Sequence, residues 1–277
     1  MPMNSINTNM QSVIALQALN GTNDQISVTQ KRVSTGFRVA DARDDGGAFA
    51  VAQSVRSDMA GVVAVGEHLG GVKGILETTF ASLSVVSDTM KQIRAALTRL
   101  ADGSISAEQR ATYKQQYELL AEQVSNFIDD SLYNGRTLLS TATATGGDIT
   151  AIRNETGGTF TIQAVNGADL KLPTAAPTSA EDAQSWIQSN GNFDTRDTAI
   201  ASALNKFGTS MGFVDNQITY NSKKVDAMAG GLGALIDADL AKESSTLEAL
   251  KVRQQLGVQT LGMANQGPQV LLGLFRN

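Results

Sequence analysis

His68 is the only histidine in the chain and there is no cysteine. A Ser-His-Asp triad, a Cys-His pair, an HExxH zinc helix or a His-rich metal cage each needs partners that this composition lacks or barely supplies. Beside Gly70-Gly71, the imidazole of His68 reads as a packed or surface side chain. The acidic pairs Asp44-Asp45 and Asp237/Asp239 lack the spaced companion oxygens of a calcium loop. They read as negative charges placed at helix N-termini. Gly66, Gly70, Gly71 and Gly74 follow no strand and spell no phosphate-binding fingerprint. The sequence therefore predicts no catalytic, cofactor or metal site.

A formal charge of −5 and a pI near 5.0 argue against nucleic acid, which is held by clustered Lys and Arg. The N-terminus shows neither the positive region nor the apolar core of a secretory signal peptide. The distribution of charge is more telling than its sum. Met1–Asn23 and Gln254–Phe275 carry no charged side chain, yet the second run holds Gln254, Gln255, Gln259, Asn265, Gln266 and Gln269. Such a segment is neither an ordinary solvated helix face nor a membrane span, so no membrane insertion is expected.

Both runs are helical in pattern. Leu19, Ile26 and Val33 sit seven apart, and Ile236, Leu240, Leu247, Leu250, Val258 and Leu261 recur at helical spacing. These ends read as two strands of one coil, packed into something larger. The polar run Asn4–Asn9 has poor helix propensity and is expected to order only on contact with a partner.

Between the ends the pattern predicts a mainly α chain, a long antiparallel helical bundle or coiled coil formed by N- and C-terminal halves, with a small β-hairpin insert. Residues 1–40 form a first helix and a charged connector follows from Arg38 to Gly47. Residues 41–139 hold long helices: a glycine-loosened pattern from Ala48 leads into the strong seam Leu76, Phe80, Leu83, Val86, Met90, Ile93, Leu97 and Leu100. Ser106 with Gln109 spells a capping box for the next helix, with Tyr113, Tyr117, Leu120, Val124 and Phe127 as its stripe. In the insert, 140–178, the period changes to two. Asn166-Gly167 is the strongest hairpin signal, and Gly157-Gly158 can join Thr159–Val165 to an earlier strand near Ile149–Arg153. Helices resume over 179–231, with Ile200, Leu204, Phe207, Met211, Val214, Ile218 and Val225 as a stripe, and Gly230-Gly231-Leu232-Gly233 is expected to break them before a last helix in 232–277.

At both ends the spelling closely resembles bacterial flagellins. The N-terminal match runs through Ser5-Ile6-Asn7-Thr8-Asn9, Ala15-Leu16, Leu19-Asn20, Thr22-Asn23, Gln30–Gly36 and Ala42-Arg43-Asp44-Asp45. Tyr133-Asn134-Gly135-Arg136-Thr137-Leu138-Leu139 is similar to the family's FNG-x-x-LL turn, and Ile236–Glu243 and Ala264–Leu271 are similar to its closing signature. The short stretch Ser140–Ser189 implies that large variable outer domains are absent, as in the short flagellins of alphaproteobacteria.

The resemblance implies an extracellular filament subunit for swimming motility, exported through the flagellar secretion channel without a cleaved signal peptide. Its partners would be copies of itself or paralogous flagellins, a cytoplasmic export chaperone on the C-terminal helix, and filament cap and junction proteins. Inner-core packing would fall to Ile6, Leu16, Leu19, Ile26, Val33, Leu240, Leu247, Leu250, Leu261, Leu271 and Leu272. The region read by the innate immune flagellin receptor is degenerate: Arg94 is kept, but Gln92 and Ala95 stand where the family carries a basic and an acidic residue. The stretch Met211–Asn216 also departs from the family's LG-x-x-QN run. Two other readings are a hook–filament junction protein, against which Asn265–Gln269 speaks, and a secreted monomeric helical ligand or adhesin.

Overall fold

Local capping chemistry sets most helix starts in the computed structural model, which describes residues 9–141 and 145–274, with side chains of the last helix up to Gln266. Helix α1 (Met10–Thr35) opens where Asn9 Oδ1 accepts from Ser12 N–H and closes at Gly36, whose φ of 76° admits the left-handed cap that returns its N–H to Arg32. Helix α2 (Gly46–Leu100) starts with Asp45 accepting from Ala48 N–H at 3.0 Å. Helix α3 (Ala107–Asp129) has the capping box expected at Ser106 and Gln109, with both reciprocal bonds formed. A second box, Ser179 with Asp182, opens α4 (Ala180–Ile187). Helix α5 covers Asn192–Ile236, and α6 (Leu240–Leu274) is capped by Asp239, which accepts from Ala241 and Lys242 N–H. Of the acidic pairs, Asp45 and Asp239 thus serve helix starts.

The protein divides into two compact units, 1–57 with 227–277 and 58–226. The second holds the large core. The seam from Leu76 to Leu100 is buried at every expected position except Phe80, which is half-buried while Thr79 is covered. It packs with Tyr117, Val124 and Ile128 of α3 and Ile200, Phe207 and Val214 of α5. Each such apolar side chain contributes about 1.5–3 kcal/mol when fully buried. Ion pairs Arg94–Asp197 (2.9 Å) and Lys73–Asp215 (2.7 Å) show α2 and α5 running antiparallel. One window of α2 is apolar enough to cross a bilayer by composition, with mean hydropathy 1.2 and 28% of its residues buried; it is the Leu76–Leu100 part of the helix that lies in the large core.

The insert corrects the sequence reading. Strands β1 (Ile149–Ile152) and β2 (Thr159–Ile162) pair antiparallel, Ile149 opposite Ile162, through the Arg153–Gly158 turn. This is the Gly157-Gly158 connection, with Gly157 at φ 82°. Asn166-Gly167 makes no hairpin. Asn166 instead caps a single 3-10 turn, Gly167–Asp169. The reason is that Val165 and Gly167 give their N–H groups to Leu138 and Leu139, at 2.8 and 3.0 Å. A β-carbon on Gly167 would lie 2.4 Å from the Leu139 carbonyl oxygen, so only glycine fits there.

Gly230, Gly231 and Gly233 do not break α5, which runs through them to Ile236. Packing overrides a propensity loss of about 1 kcal/mol per glycine: Ile236, Leu232 and Leu235 close a small core with Val39, Ala52, Phe37 and Phe49.

Candidate functional site

The first unit is built on α1 and α6, which pair antiparallel. Asn9 Nδ2 donates to the Ala264 carbonyl at 2.7 Å, Gln254 Nε2 to Asn23 Oδ1 at 2.7 Å, and Arg32 reaches Glu243 at 3.1 Å. The facing residues step by three and four on both helices. On α1 these are Ser12, Ala15, Leu19, Thr22, Ile26, Thr29 and Val33; on α6 they are Glu243, Leu247, Leu250, Gln254, Gly257, Leu261 and Ala264, all half-buried or buried.

Of the residues expected at the packing site, Leu19, Ile26, Val33, Leu247, Leu250 and Leu261 lie on this seam. Leu16 and Leu240 do not, being 46% and 49% exposed. Ile6, and the side chains of Leu271 and Leu272, lie outside the described residues, as does the Asn4–Thr8 part of the polar run. Val258 of the expected stripe is exposed as well. The sequence reading missed Thr22 and Thr29, which are 8% and 5% exposed. Their polarity hid them, but Thr22 Oγ1 donates to the Ala18 carbonyl at 2.9 Å, so its hydroxyl enters the seam already bonded.

Apolar side chains crowd the other faces. Met10, Val13, Ile14, Leu16 and Val28 on α1, and Leu240, Val252, Leu256, Val258 and Met263 on α6, are exposed. Over Met10–Asn23 and Gln254–Gln266 no charge interrupts them. A pair of helices that has already closed its seam still presents this surface to water. Between α1 and α6, nearer the connectors, lies an open groove of about 840 Å³ whose lining includes Val28, Thr29, Ala249 and Leu250 together with Arg32, Lys242 and Arg253.

The connectors are held firmly. Arg38 and Val39 N–H both donate to the Ile236 carbonyl, Ala238 N–H donates to Gly36, and the Arg38 guanidinium reaches the Leu235 carbonyl. Lys31 bridges Asp41 and Asp44 at 2.9 and 2.7 Å. Its hydrogen bonds hold both carboxyls below the usual range, and Asp44 in turn raises the ammonium. Among the described residues no cluster of three His, Asp or Glu side chains could hold a metal. His68 is exposed.

Gln92 is exposed on α2, whereas the Arg94 guanidinium is engaged within the molecule by Asp197 and lies over the Phe193 ring, 4.9 Å from its centroid.

Long terminal helices, paired with each other and apolar on their outward faces, define a helical assembly protein. Comparison with known proteins gives the family. The bacterial flagellin N-terminal helical region matches residues 6–144, and the bacterial flagellin C-terminal helical region matches 194–275. Flagellin FljK of Caulobacter vibrioides is 34% identical over the whole of both chains, and a flagellin of Brucella melitensis is 31% identical over 99% of this chain and all of its own. The chain belongs to the bacterial flagellin family. Among solved structures, a Vibrio parahaemolyticus protein assigned as flagellar hook-associated shares the fold, with a TM-score of 0.54 at 12% identity over 70% of this chain and all of that one.

Proposed function

We propose that this protein is a structural subunit of the extracellular flagellar filament and that it assembles through the outward faces of α1 and α6. The observation that carries the reading is the uncharged apolar surface left on both helices after their mutual seam is closed. Contacts of this kind between identical copies, repeated head to tail without closing, give a helical filament. The role is mechanical and calls on no catalytic group. Leu19, Ile26, Val33, Leu247, Leu250 and Leu261 hold the pair together; Leu16 and Leu240 belong to the contact between copies. Before assembly the same apolar surface needs cover, which fits an export chaperone on the C-terminal helix and passage through the flagellar secretion channel. Cap and junction proteins would meet the filament at its ends.

Purified protein seeded with sheared filaments, then sedimented and imaged by electron microscopy, tests the reading. Growth of tubular filaments from the seeds is expected. Persistent monomer under seeding would instead favour a secreted helical ligand.

A further inference from the structure

Four Asn-Gly pairs occur in the sequence, at Asn20, Asn134, Asn166 and Asn190. This dipeptide is the one most prone to succinimide formation, because glycine offers no side chain to hinder attack by its own backbone nitrogen. That nitrogen has to lose its proton first, so an N–H already engaged in a hydrogen bond resists the reaction. The fold engages three of the four. Gly21 lies inside α1, where its N–H belongs to the helical ladder. Gly167 donates to Leu139 at 3.0 Å and is buried, and Gly191 donates to Gln188 at 2.8 Å. Gly135 donates to no acceptor among the described residues.

The Asn134 surroundings are open as well. Leu132 to Arg136 are all exposed, and Asn134 borders a cleft of about 460 Å³ shared with His68, Arg136 and Asp148. Water therefore reaches both the amide and any imide formed from it. Asn134 and Gly135 sit at φ 50° and 76° in a two-residue turn held by reciprocal backbone bonds between Tyr133 and Arg136.

We propose that Asn134 is a self-modification site whose only co-reactant is water. Gly135 N attacks Asn134 Cγ; the bond from Cγ to the amide nitrogen Nδ2 breaks and ammonia leaves, carrying the proton that the backbone nitrogen gives up. Water then opens either carbonyl of the imide, giving aspartate or isoaspartate. The product places a carboxylate beside Arg136, and the isoaspartate form adds a methylene to the backbone within the turn. That lengthening breaks the Tyr133–Arg136 pairing and loosens the Tyr133 ring, whose atoms pack against Gly74 of α2.

The test uses the full-length protein, held folded at mildly alkaline pH, beside a sample in denaturant. Peptides are then mapped by mass spectrometry, with chromatographic separation of the aspartate and isoaspartate forms. Conversion at Asn134 is expected to outrun Asn166 and Asn190, whose glycine N–H groups are held within the large unit, by about tenfold or more in the folded protein, as local protection of those groups requires, and the rates should converge in denaturant. The Asn134→Gln variant, whose cyclisation would need a six-membered ring, should show no conversion in that peptide over the same time. The proposal is overturned if Asn134 converts no faster than Asn166 or Asn190 in the folded protein, or if it leads by the same factor in denaturant.

Discussion

Leu19 of α1 lies directly over Gly257 of α6, its Cδ1 3.3 Å from the point where a β-carbon on that glycine would stand. At this level of the seam one helix contributes the leucine and the other the space. Replacing Gly257 by leucine should force the helices apart and weaken the pairing. The protein has no cysteine, so a Ser12→Cys/Asn265→Cys pair, placed where Ser12 Oγ now meets Asn265 Oδ1 at 2.8 Å, offers a clean readout. Oxidation should cross-link the otherwise unchanged protein efficiently and the Gly257→Leu background poorly.

Two classes of leucine should behave differently. Leu250 is 6% exposed and Leu16 46%. Leu250→Ala should destabilise the terminal helix pair by about 2–3 kcal/mol, the lower part of the range for a large-to-small change at a buried site. Leu16→Ala should change monomer unfolding by less than about 0.5 kcal/mol while slowing filament growth. Denaturant unfolding followed by circular dichroism, alongside light scattering during seeded growth, separates the two.

The two units should also differ in protection. Around the α1–α6 seam only Thr22, Thr29 and Leu250 are buried among the described residues, whereas the second unit buries an unbroken cluster from Val65 to Val214. Two helices with so thin a seam are marginal in water. Amide exchange in dilute monomer should therefore be far faster over 240–264 than over 86–100. Equal protection in the two stretches would mean that the pair is stable by itself.

The hairpin tip carries a pH-dependent clasp. Lys224 donates to Glu155 Oε1 at 2.5 Å, and Gln217 and Asn221 donate to the neighbouring Arg153 carbonyl at 3.0 and 3.3 Å. The lysine hydrogen bond holds the Glu155 carboxyl below its ordinary range, and the carboxylate holds the Lys224 ammonium above its own. The carboxylate's contribution is thus present above the ordinary carboxylate pKa and fades as pH falls through the lowered folded value. The ammonium's contribution is present below the ordinary lysine pKa and fades as pH rises through the raised one. Glu155 Oε2 is buried without a hydrogen-bond partner among the described residues, so Lys224→Met should cost about 1–3 kcal/mol. The gap from wild type should be widest between about pH 5 and 10 and close on either side, as thermal melts across pH will show.

What the sequence revealed depended on whether the deciding interaction was local. The Ser106–Gln109 box and the seam from Leu76 to Leu100 are written in residues three or four apart, and both form as read apart from half-buried Phe80. Asn166-Gly167 spells a hairpin locally, but Leu138 and Leu139, nearly thirty positions away, take the hydrogen bonds that decide its shape. Gly230 to Gly233 likewise spell a break, and contacts of Leu232 and Ile236 with Val39 and Ala52 override it. The proposed assembly faces were half legible. Charge-free ends flagged both helices, yet heptad counting could not tell Leu240 and Val258, which face outward, from Leu247 and Leu250, which face in. That choice rests on the register between α1 and α6, which is fixed by pairs such as Asn23–Gln254 more than two hundred residues apart.

We infer that the outward face, and not the seam, carries the contact between copies. Substituting Ile14 and Leu256 by serine tests it most directly, since these side chains are 61% and 57% exposed. The doubly substituted protein should keep its helix content and melting behaviour yet grow no filaments from wild-type seeds under the electron microscope. Filaments that form at the wild-type rate would place the contact between copies elsewhere.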